Sequence, residues 1–432
     1  MSDPTIAVVV VNYNGGDLTL ECLRSLLATK WPAPRLRVLL VDNASSDGVV
    51  ARVRKELPVV DVIENAENRG FGAGCNRGIR ASGHPDFVAL VNNDASVGPE
   101  WLIPLVEALE ADPSVGAACP KILFAGQFLN LELRSETTRR ERGDRRDLGV
   151  LVAGARVDGV DVWRRAQLVD GTWGVEPGNG DGAQWTGAVA HLRVPAPDHG
   201  GAAIASLLLS ADAPRTVELR SGDDVVALTI GSEPAWYEVR LPGPGVDVIN
   251  NVGTELTPGG FGADRGFQES DAGQYDIPTD VFAWCGAAVL LRSQYLADVG
   301  LFDERFFLYY EDLELSWRGA ERGWRYRYIP DSVVRHVHSA ASVDGSAFKR
   351  FYDERNHLLL LARHGSLGSA AGAAARSLLV SASYAWRDLA APSLRGERTH
   401  VDSVKPRLAA WGSALRFAPA MLRDRHRRSR PE

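Results

Sequence analysis

Two neighbouring acids, Glu311 and Asp312, follow the run Phe306-Phe307-Leu308-Tyr309-Tyr310 and open a segment with helical spacing. A carboxylate walled by aromatic rings is poorly hydrated, and its basicity rises toward what a general base needs. The same acids would also suit the positive end of a helix, and Glu314–Arg318 is an ordinary i,i+4 pair, so a purely structural account exists. Asn92-Asn93-Asp94 follows a buried apolar run. An oxygen ligand beside amides suits a hard cation, Mg2+ or Mn2+, which would neutralise a diphosphate; a simple strand-end turn is the competing account. His336 and His338 share one face of an extended segment, where imidazoles serve either structure or metal. Trp284-Cys285-Gly286 interrupts an apolar run, and an indole there is either core or a platform for a sugar ring. Gly70-x-Gly72-x-Gly74 departs from the dinucleotide fingerprint because Arg77 stands where its last glycine belongs, which argues against a Rossmann dehydrogenase.

These residues need a scaffold that gathers distant loops, and the first 125 residues supply one. Ile6–Val11, Arg37–Val41, Val59–Ile63 and Phe87–Val91 are apolar runs of the kind used by buried parallel strands. Helical patterns lie between them, the first capped by Asp17 with Leu20, Leu23 and Leu27 on one face. Strands joined by helices imply right-handed crossovers and a mainly parallel sheet. Each strand ends in polar residues: Asn12-Tyr13-Asn14, Asp42-Asn43, Asn68 onward, and Asn92–Asp94. Ligands of open α/β sheets sit outside the carboxyl ends of the strands, so four such clusters predict one cleft. Residues 126–247 change character. Alternation such as Tyr237, Val239 and Leu241 against Trp236, Glu238 and Arg240, between Gly, Pro and Asp turns, predicts an antiparallel sandwich. The α/β pattern then returns. Val281–Leu291 and Trp324–Ile329 read as strands, and Glu311–Gly323, Asp353–His364 and Ala370–Leu389 as helices. The boundaries so drawn are 1–125, 126–247, 248–350 and 351–432.

A net charge of −7 on 432 residues argues against a nucleic-acid binder. The charge is uneven. Residues 395–432 hold ten Lys/Arg against four Asp/Glu, a net +6 on a body of −13. Trp411, Leu415, Phe417, Met421 and Leu422 sit among these arginines. A basic amphipathic end predicts attachment to an anionic membrane face, with helix packing in an oligomer as the alternative. Cys22, Cys75, Cys119 and Cys285 lack any Cys-x-x-Cys spacing, so neither a zinc site nor a disulfide framework is expected. With no signal-peptide pattern and no apolar stretch of 18 residues, the expected location is cytoplasmic, peripheral at the inner face of the cell membrane.

Taken in order, Val8–Asn14, Val41–Asp47, Asn68–Asn76, Val91–Asp94, Phe282–Arg292, Gly300–Arg318 and Pro330–Ser342 resemble the inverting, nucleotide-sugar-dependent family 2 glycosyltransferases with the GT-A fold. Their bacterial rhamnosyltransferase-like branch is the nearest likeness. The resemblance covers residues 5–125 and about 248–365, and makes 126–247 an inserted domain that either binds glycan or is purely structural. It implies roles for matched positions. Val11, Tyr13 and Asp42 would contact the nucleoside, and Asn68, Gly72 and Asn76 would line the nucleotide-sugar pocket. Asn93 and Asp94 stand at the family's Asp-x-Asp element, so Asp94 would bind Mg2+ or Mn2+ with His336 as a further ligand; Asn92 replaces the first acid and removes one negative ligand. Asp312 would be the general base, and Glu311 with Trp284, Cys285 and Gly286 would face the acceptor. The implied donor is dTDP-rhamnose or a UDP-sugar, and the implied acceptor a cell-envelope glycan or a lipid-linked one. A catalytically silent glycan-binding protein on this scaffold is the alternative. A sugar-nucleotidyltransferase would need a basic triphosphate loop where Asn12–Asp17 carries none.

Overall fold

The computed structural model of the protein describes residues 3–139, 146–176, 182–197, 200–337, 346–396, 399 and 401–428. His338 and the last residues of the basic tail, 429–432, lie outside them. The chain forms two compact units, one of residues 1–123, 250–267 and 273–432, the other of residues 124–249 and 268–272.

The larger unit is built on a mixed sheet. Strands β1 (Ile6–Asn12), β2 (Leu36–Asp42), β3 (Asp61–Glu64) and β4 (Phe87–Asn92) run parallel in the order β4-β1-β2-β3. On the far side of β4 lies an antiparallel strand, Ala288–Arg292, followed by Val115–Phe124, Arg325–His336 and Thr279–Val281. Every residue of β1 is buried, as its unbroken valine run requires of a strand covered on both faces. Helices α1 (Gly16–Leu27), α2 (Val49–Glu56), α3 (Phe71–Ala81) and α4 (Leu102–Ala111) complete the crossovers. Asp17 does not cap α1. The cap is Gly15, two residues earlier, and Asp17, in the first turn, pairs with Arg52 of α2 at 2.7 Å. The glycines of α3 serve packing: a Cβ on Gly74 would come within 2.7 Å of Val11, and one on Gly78 within 2.3 Å of Val9. Val281–Leu291 is two strands rather than one, because the chain leaves the sheet from Phe282 to Ala287 and carries Cys285 and Gly286 past the strand ends.

Beyond the sheet come α5 (Ser293–Val299), α6 (Glu311–Ala320), α7 (Ala347–Arg363), α8 (Leu367–Ala385), α9 (Ala391–Leu394) and α10 (Lys405–Arg428). Leu358, Leu359 and Leu360 of α7 pack with Phe306, Leu313, Ala414 and Met421, joining α6, α7 and α10 in one core. Met421, Trp411 and Phe417 therefore face inward, while Leu415 and Leu422 of the expected surface face are exposed. Helix α8 buries only Ser381 and exposes Leu367, Leu378, Leu379 and Val380. Among the described residues, no helix is long and apolar enough to cross a membrane. All four cysteines are free.

The smaller unit is all β: its described residues form an antiparallel sheet of nine strands and a two-stranded ribbon, Thr138–Arg139 with Asp147–Leu148. Alternate residues of Phe128–Ser135, Leu151–Val157, Gln184–Pro195 and Ala203–Ser210 point into one apolar core. Outward positions form a charged cross-strand row: Arg220, Glu132, His191 and Asp170.

Candidate active site

The carboxyl ends of the parallel strands are tied by one buried side chain, Asn12. Its Nδ2 donates to Asp42 Oδ1 at 2.7 Å and Ser45 Oγ at 2.9 Å. Its Oδ1 accepts from Thr19 Oγ1 at 2.7 Å and Asn93 Nδ2 at 2.8 Å. Asn43 extends the network, donating to Gly70 O at 3.0 Å and accepting from Asn65 Nδ2 at 2.7 Å. The strand-end residues thus fix one another before any ligand arrives, which holds a site to one geometry. Through Asn43 and Asn93 this network borders a cavity of about 1120 Å3. Val11, Tyr13, Asn43 and Asn68 line one part of it, Asn93, Asp94 and His336 another, and Glu311 and Asp312 a third.

Asp94 and His336 are nearly buried, with side chains 11% and 8% exposed, and Asp94 Oδ1 lies 3.1 Å from His336 Nε2. Nδ1 of the same ring is 3.0 Å from Asn250 Oδ1. Nε2 also lies 3.3 Å from Asn92 Nδ2, so with Nδ1 donating to Asn250 it presents its lone pair toward that amide and beside the carboxylate. In that arrangement two acceptors lie side by side, a geometry that a bound cation would suit. Among the described residues no three His, Cys, Asp or Glu side chains converge on one point. The pair fits a hard divalent cation that draws its other ligands from phosphate and water, as Mg2+ commonly does.

Asp312 stands at the start of α6 with both oxygens engaged. Oδ2 accepts from Gly286 N at 2.8 Å and Oδ1 from Leu313 N at 2.7 Å. Burial raises its carboxyl above the ordinary value, and the two backbone N–H groups only partly offset that. Burial pushes Glu311 further, to about 8, with the charge of Asp312 adding to it. Glu311 Oε2 finds no hydrogen-bond partner among the described residues. The two acids titrate as a pair, and of the two Asp312 receives more backbone hydrogen bonds that stabilise its ionised form.

The loop ahead of α6 is strained. Phe307, Tyr309 and Tyr310 have φ of 65°, 66° and 69°, a region that costs bulky residues roughly 1–3 kcal/mol each. Phe307 O accepts from Phe71 N at 2.8 Å, an approach only glycine at 70 permits: a Cβ there would lie 2.2 Å from that oxygen. Further along α6, Glu314 is fully buried among Arg318 at 2.7 Å, Arg363 at 2.9 Å and His364 at 3.1 Å. Burial alone would raise its carboxyl, but these partners outweigh it and hold it far below the carboxylate range. The Glu314–Arg318 pair is therefore the hub that anchors α6 to α7.

The sequence profile of glycosyl transferase family 2 matches residues 7–156. An N-acetylglucosaminyltransferase of Bradyrhizobium elkanii is 30% identical over 129 residues, which are 29% of this chain and 69% of that protein. The chain belongs to glycosyltransferase family 2. The N-acetylglucosaminyl-diphospho-decaprenol L-rhamnosyltransferase of Mycobacterium tuberculosis is 34% identical over 128 residues, 27% of this chain and 41% of that protein. The chain thus spans about two fifths of the length of that relative. A mannosyltransferase of Pyrobaculum calidifontis, solved with GDP-Man and Mn2+, aligns with 99% of this chain and 74% of its own at 15% identity and a TM-score of 0.40. The mixed α/β sheet, the added all-β unit and the C-terminal helices give this family 2 chain the GT-A architecture that its motifs imply.

In this family 2 chain the expected site residues divide into two groups. Val11, Tyr13, Asn68, Asn93, Asp94, Cys285, Gly286, Glu311, Asp312 and His336 line the cavity. Asp42, Gly72, Asn76 and Trp284 do not. Both oxygens of Asp42 are taken, by Asn12 and by Ser45 N at 2.9 Å. Asn76 staples α3 to the loop after α5 through Phe302 O at 2.9 Å and Phe302 N at 2.9 Å. Gly72 gives way to Phe302, and Trp284 is fully buried against the same ring. Asn43, Asn250 and Asp264 line the cavity instead. Burial and then Asp312 raise the Asp264 carboxyl, while Asn251 Nδ2, 2.6 Å away, lowers it. Nothing in the sequence around Asp264 marks it, because a short irregular hairpin brings it in.

Proposed function

We propose that this chain is a metal-dependent inverting glycosyltransferase that moves a sugar from a nucleotide-sugar to a hydroxyl of a cell-envelope glycan or lipid-linked acceptor. One observation carries the proposal: the Asp94–His336 pair and Asp312 open on the same cavity as Tyr13, Asn43 and Asn68. Residues 1–125 would hold the donor and 248–350 the acceptor, with 126–247 inserted between them in sequence and 351–432 as a helical extension.

Asp94 and His336 would hold the divalent cation, which when bound would neutralise charge on the leaving diphosphate. The acceptor hydroxyl is a weak nucleophile until its proton has somewhere to go. Asp312 takes that proton as the hydroxyl oxygen bonds to the anomeric carbon and the carbon–phosphate oxygen bond breaks on the opposite face. Attack from that side inverts the configuration. The Gly286 and Leu313 N–H groups fix the base without neutralising it, and the raised basicity of the buried carboxyl favours proton capture. Rhamnose carried on dTDP is the donor we favour, after the Mycobacterium relative, whose name also supplies a lipid diphosphate as the acceptor class. The exposed Leu378, Leu379 and Val380 of α8, with Arg376 on the cavity wall, suit a chain that meets its acceptor at an anionic membrane surface.

Given Mn2+ and a panel of nucleotide-sugars, the purified protein is expected to release nucleoside diphosphate from one of them. Release should be faster when a lipid-linked acceptor is supplied in anionic vesicles that co-sediment with the protein. Absence of release with every donor would overturn the proposal.

A further inference from the structure

We propose that Asn356, on α7, is a positioning residue: its buried amide clamps the loop 306–310 in the left-handed conformation from which Asp312 reaches the cavity. The inference rests on Asp312 being the base, and it concerns a residue that does not touch the reacting atoms. Asn356 is fully buried, and its Nδ2 lies 3.0, 2.8 and 2.7 Å from the carbonyl oxygens of Phe306, Leu308 and Tyr309. Arg355 adds a contact to Phe306 O at 3.2 Å and another to Arg305 O. The side chain is used from one end only, since Asn356 Oδ1 has no hydrogen-bond partner among the described residues. An asparagine kept merely to fill the core would engage both ends. This one spends two hydrogens on three carbonyls.

Those carbonyls lie within the run of residues that needs holding. Phe307, Tyr309 and Tyr310 all have positive φ, and Tyr310 is the residue immediately before α6. If φ at 309 or 310 relaxes to its usual negative range, the first turn of α6 swings and Asp312 loses its line to Gly286 N. Three bulky side chains all favour that relaxation. The rings have contacts of their own, Phe307 on Tyr352 with centroids 5.1 Å apart, Tyr309 under Lys349 Nζ at 5.7 Å and Tyr310 near His357 at 6.2 Å, while Asn356 holds the backbone carbonyls between them.

Asn356→Asp keeps the shape and removes both donors. It is expected to lower kcat at least about 30-fold while the Kd for nucleoside diphosphate stays within about twofold, because Val11, Tyr13 and Asn43 lie on other elements. A second comparison reads the strain itself. In the Asn356→Asp background, Tyr309→Gly should be several-fold more active and more heat-stable than Tyr309→Ala. Both lose the ring, but only glycine adopts positive φ freely. In the native background the gap between the two should be smaller. Should Asn356→Asp fail to fold, Asn356→Ser retains one donor and should show an intermediate loss of kcat with the same unchanged nucleotide Kd. A kcat within threefold of the native value would overturn the proposal. So would a parallel fall in kcat and nucleotide affinity, or equal behaviour of the glycine and alanine variants. Near-normal turnover by Asp312→Asn would instead refute the base, and the thermal comparison at 309 would still judge the clamp.

Discussion

Replacing Asp312 by Asn is expected to lower kcat by roughly 10²–10⁴-fold, the range a positioned general base contributes. The Kd for nucleoside diphosphate should stay unchanged. Asparagine keeps the volume and can still accept from one of the two N–H groups that hold the native carboxylate. Its amide would face the other, an unfavourable contact set against the removal of a buried charge, so the melting temperature should shift only slightly. The pH profile gives a second reading. Burial raises the Asp312 carboxyl above its ordinary 3.8, with Glu311 titrating beside it. The base works only when ionised, so kcat/KM of the native enzyme should fall as pH drops through a value above 3.8. In Asp312→Asn the residual rate should lose that acid limb. Rapid-quench assays across pH, with nucleotide titrations in parallel, check both outcomes.

Asp94→Ala is expected to fail at a different step. Asp94 is the one acid of Asn92-Asn93-Asp94, and His336 is its neighbour at 3.1 Å, so its removal leaves an imidazole to hold the cation alone. Loss of second-shell partners already weakens metal binding 10–100-fold, and loss of a direct carboxylate ligand should cost at least about 100-fold. In the native protein Mn2+ should strengthen binding of nucleoside diphosphate. In Asp94→Ala that strengthening should vanish, and transfer should fall with it. Calorimetric titration with and without Mn2+ separates this from Asp312→Asn, which should keep the full metal effect. Retained synergy in Asp94→Ala would remove that residue from its role.

The parallel half of the fold was legible because its signal is local. Four apolar runs, each closed by Asn, Asp or Gly, could hardly be anything but strands feeding a common edge, and most of their polar ends do face one cavity. What sequence could not separate was a polar residue that lines the cavity from one that meets another loop. Asp42 and Asn43 are neighbours with similar chemistry, yet Asp42 accepts from Asn12 and Ser45 while Asn43 lines the cavity. Asn76 and Trp284 likewise satisfy partners more than 200 and 10 residues away, respectively, which spacing along the chain does not reveal. Asp264 was hidden for the opposite reason, since an irregular hairpin carries no period. The apolar residues of the basic C-terminal helix suit either a membrane face or helix packing, and Met421 and Trp411 pack with the leucines of α7; an apolar stripe does not say which apolar surface it will meet. Glu314 shows the same limit. Its i,i+4 spacing to Arg318 was plain, while its burial among Arg363 and His364 depended on where α7 came to rest.

The most direct test is to find the manganese and the diphosphate in crystals grown with Mn2+ and an unreactive nucleotide-sugar analogue, using the anomalous signal of the metal. A manganese peak beside Asp94 and His336, touching the diphosphate, with the anomeric carbon turned toward the Asp312 carboxylate, is the expected result. A metal bound elsewhere, or a sugar whose anomeric carbon faces away from Asp312, would contradict the account.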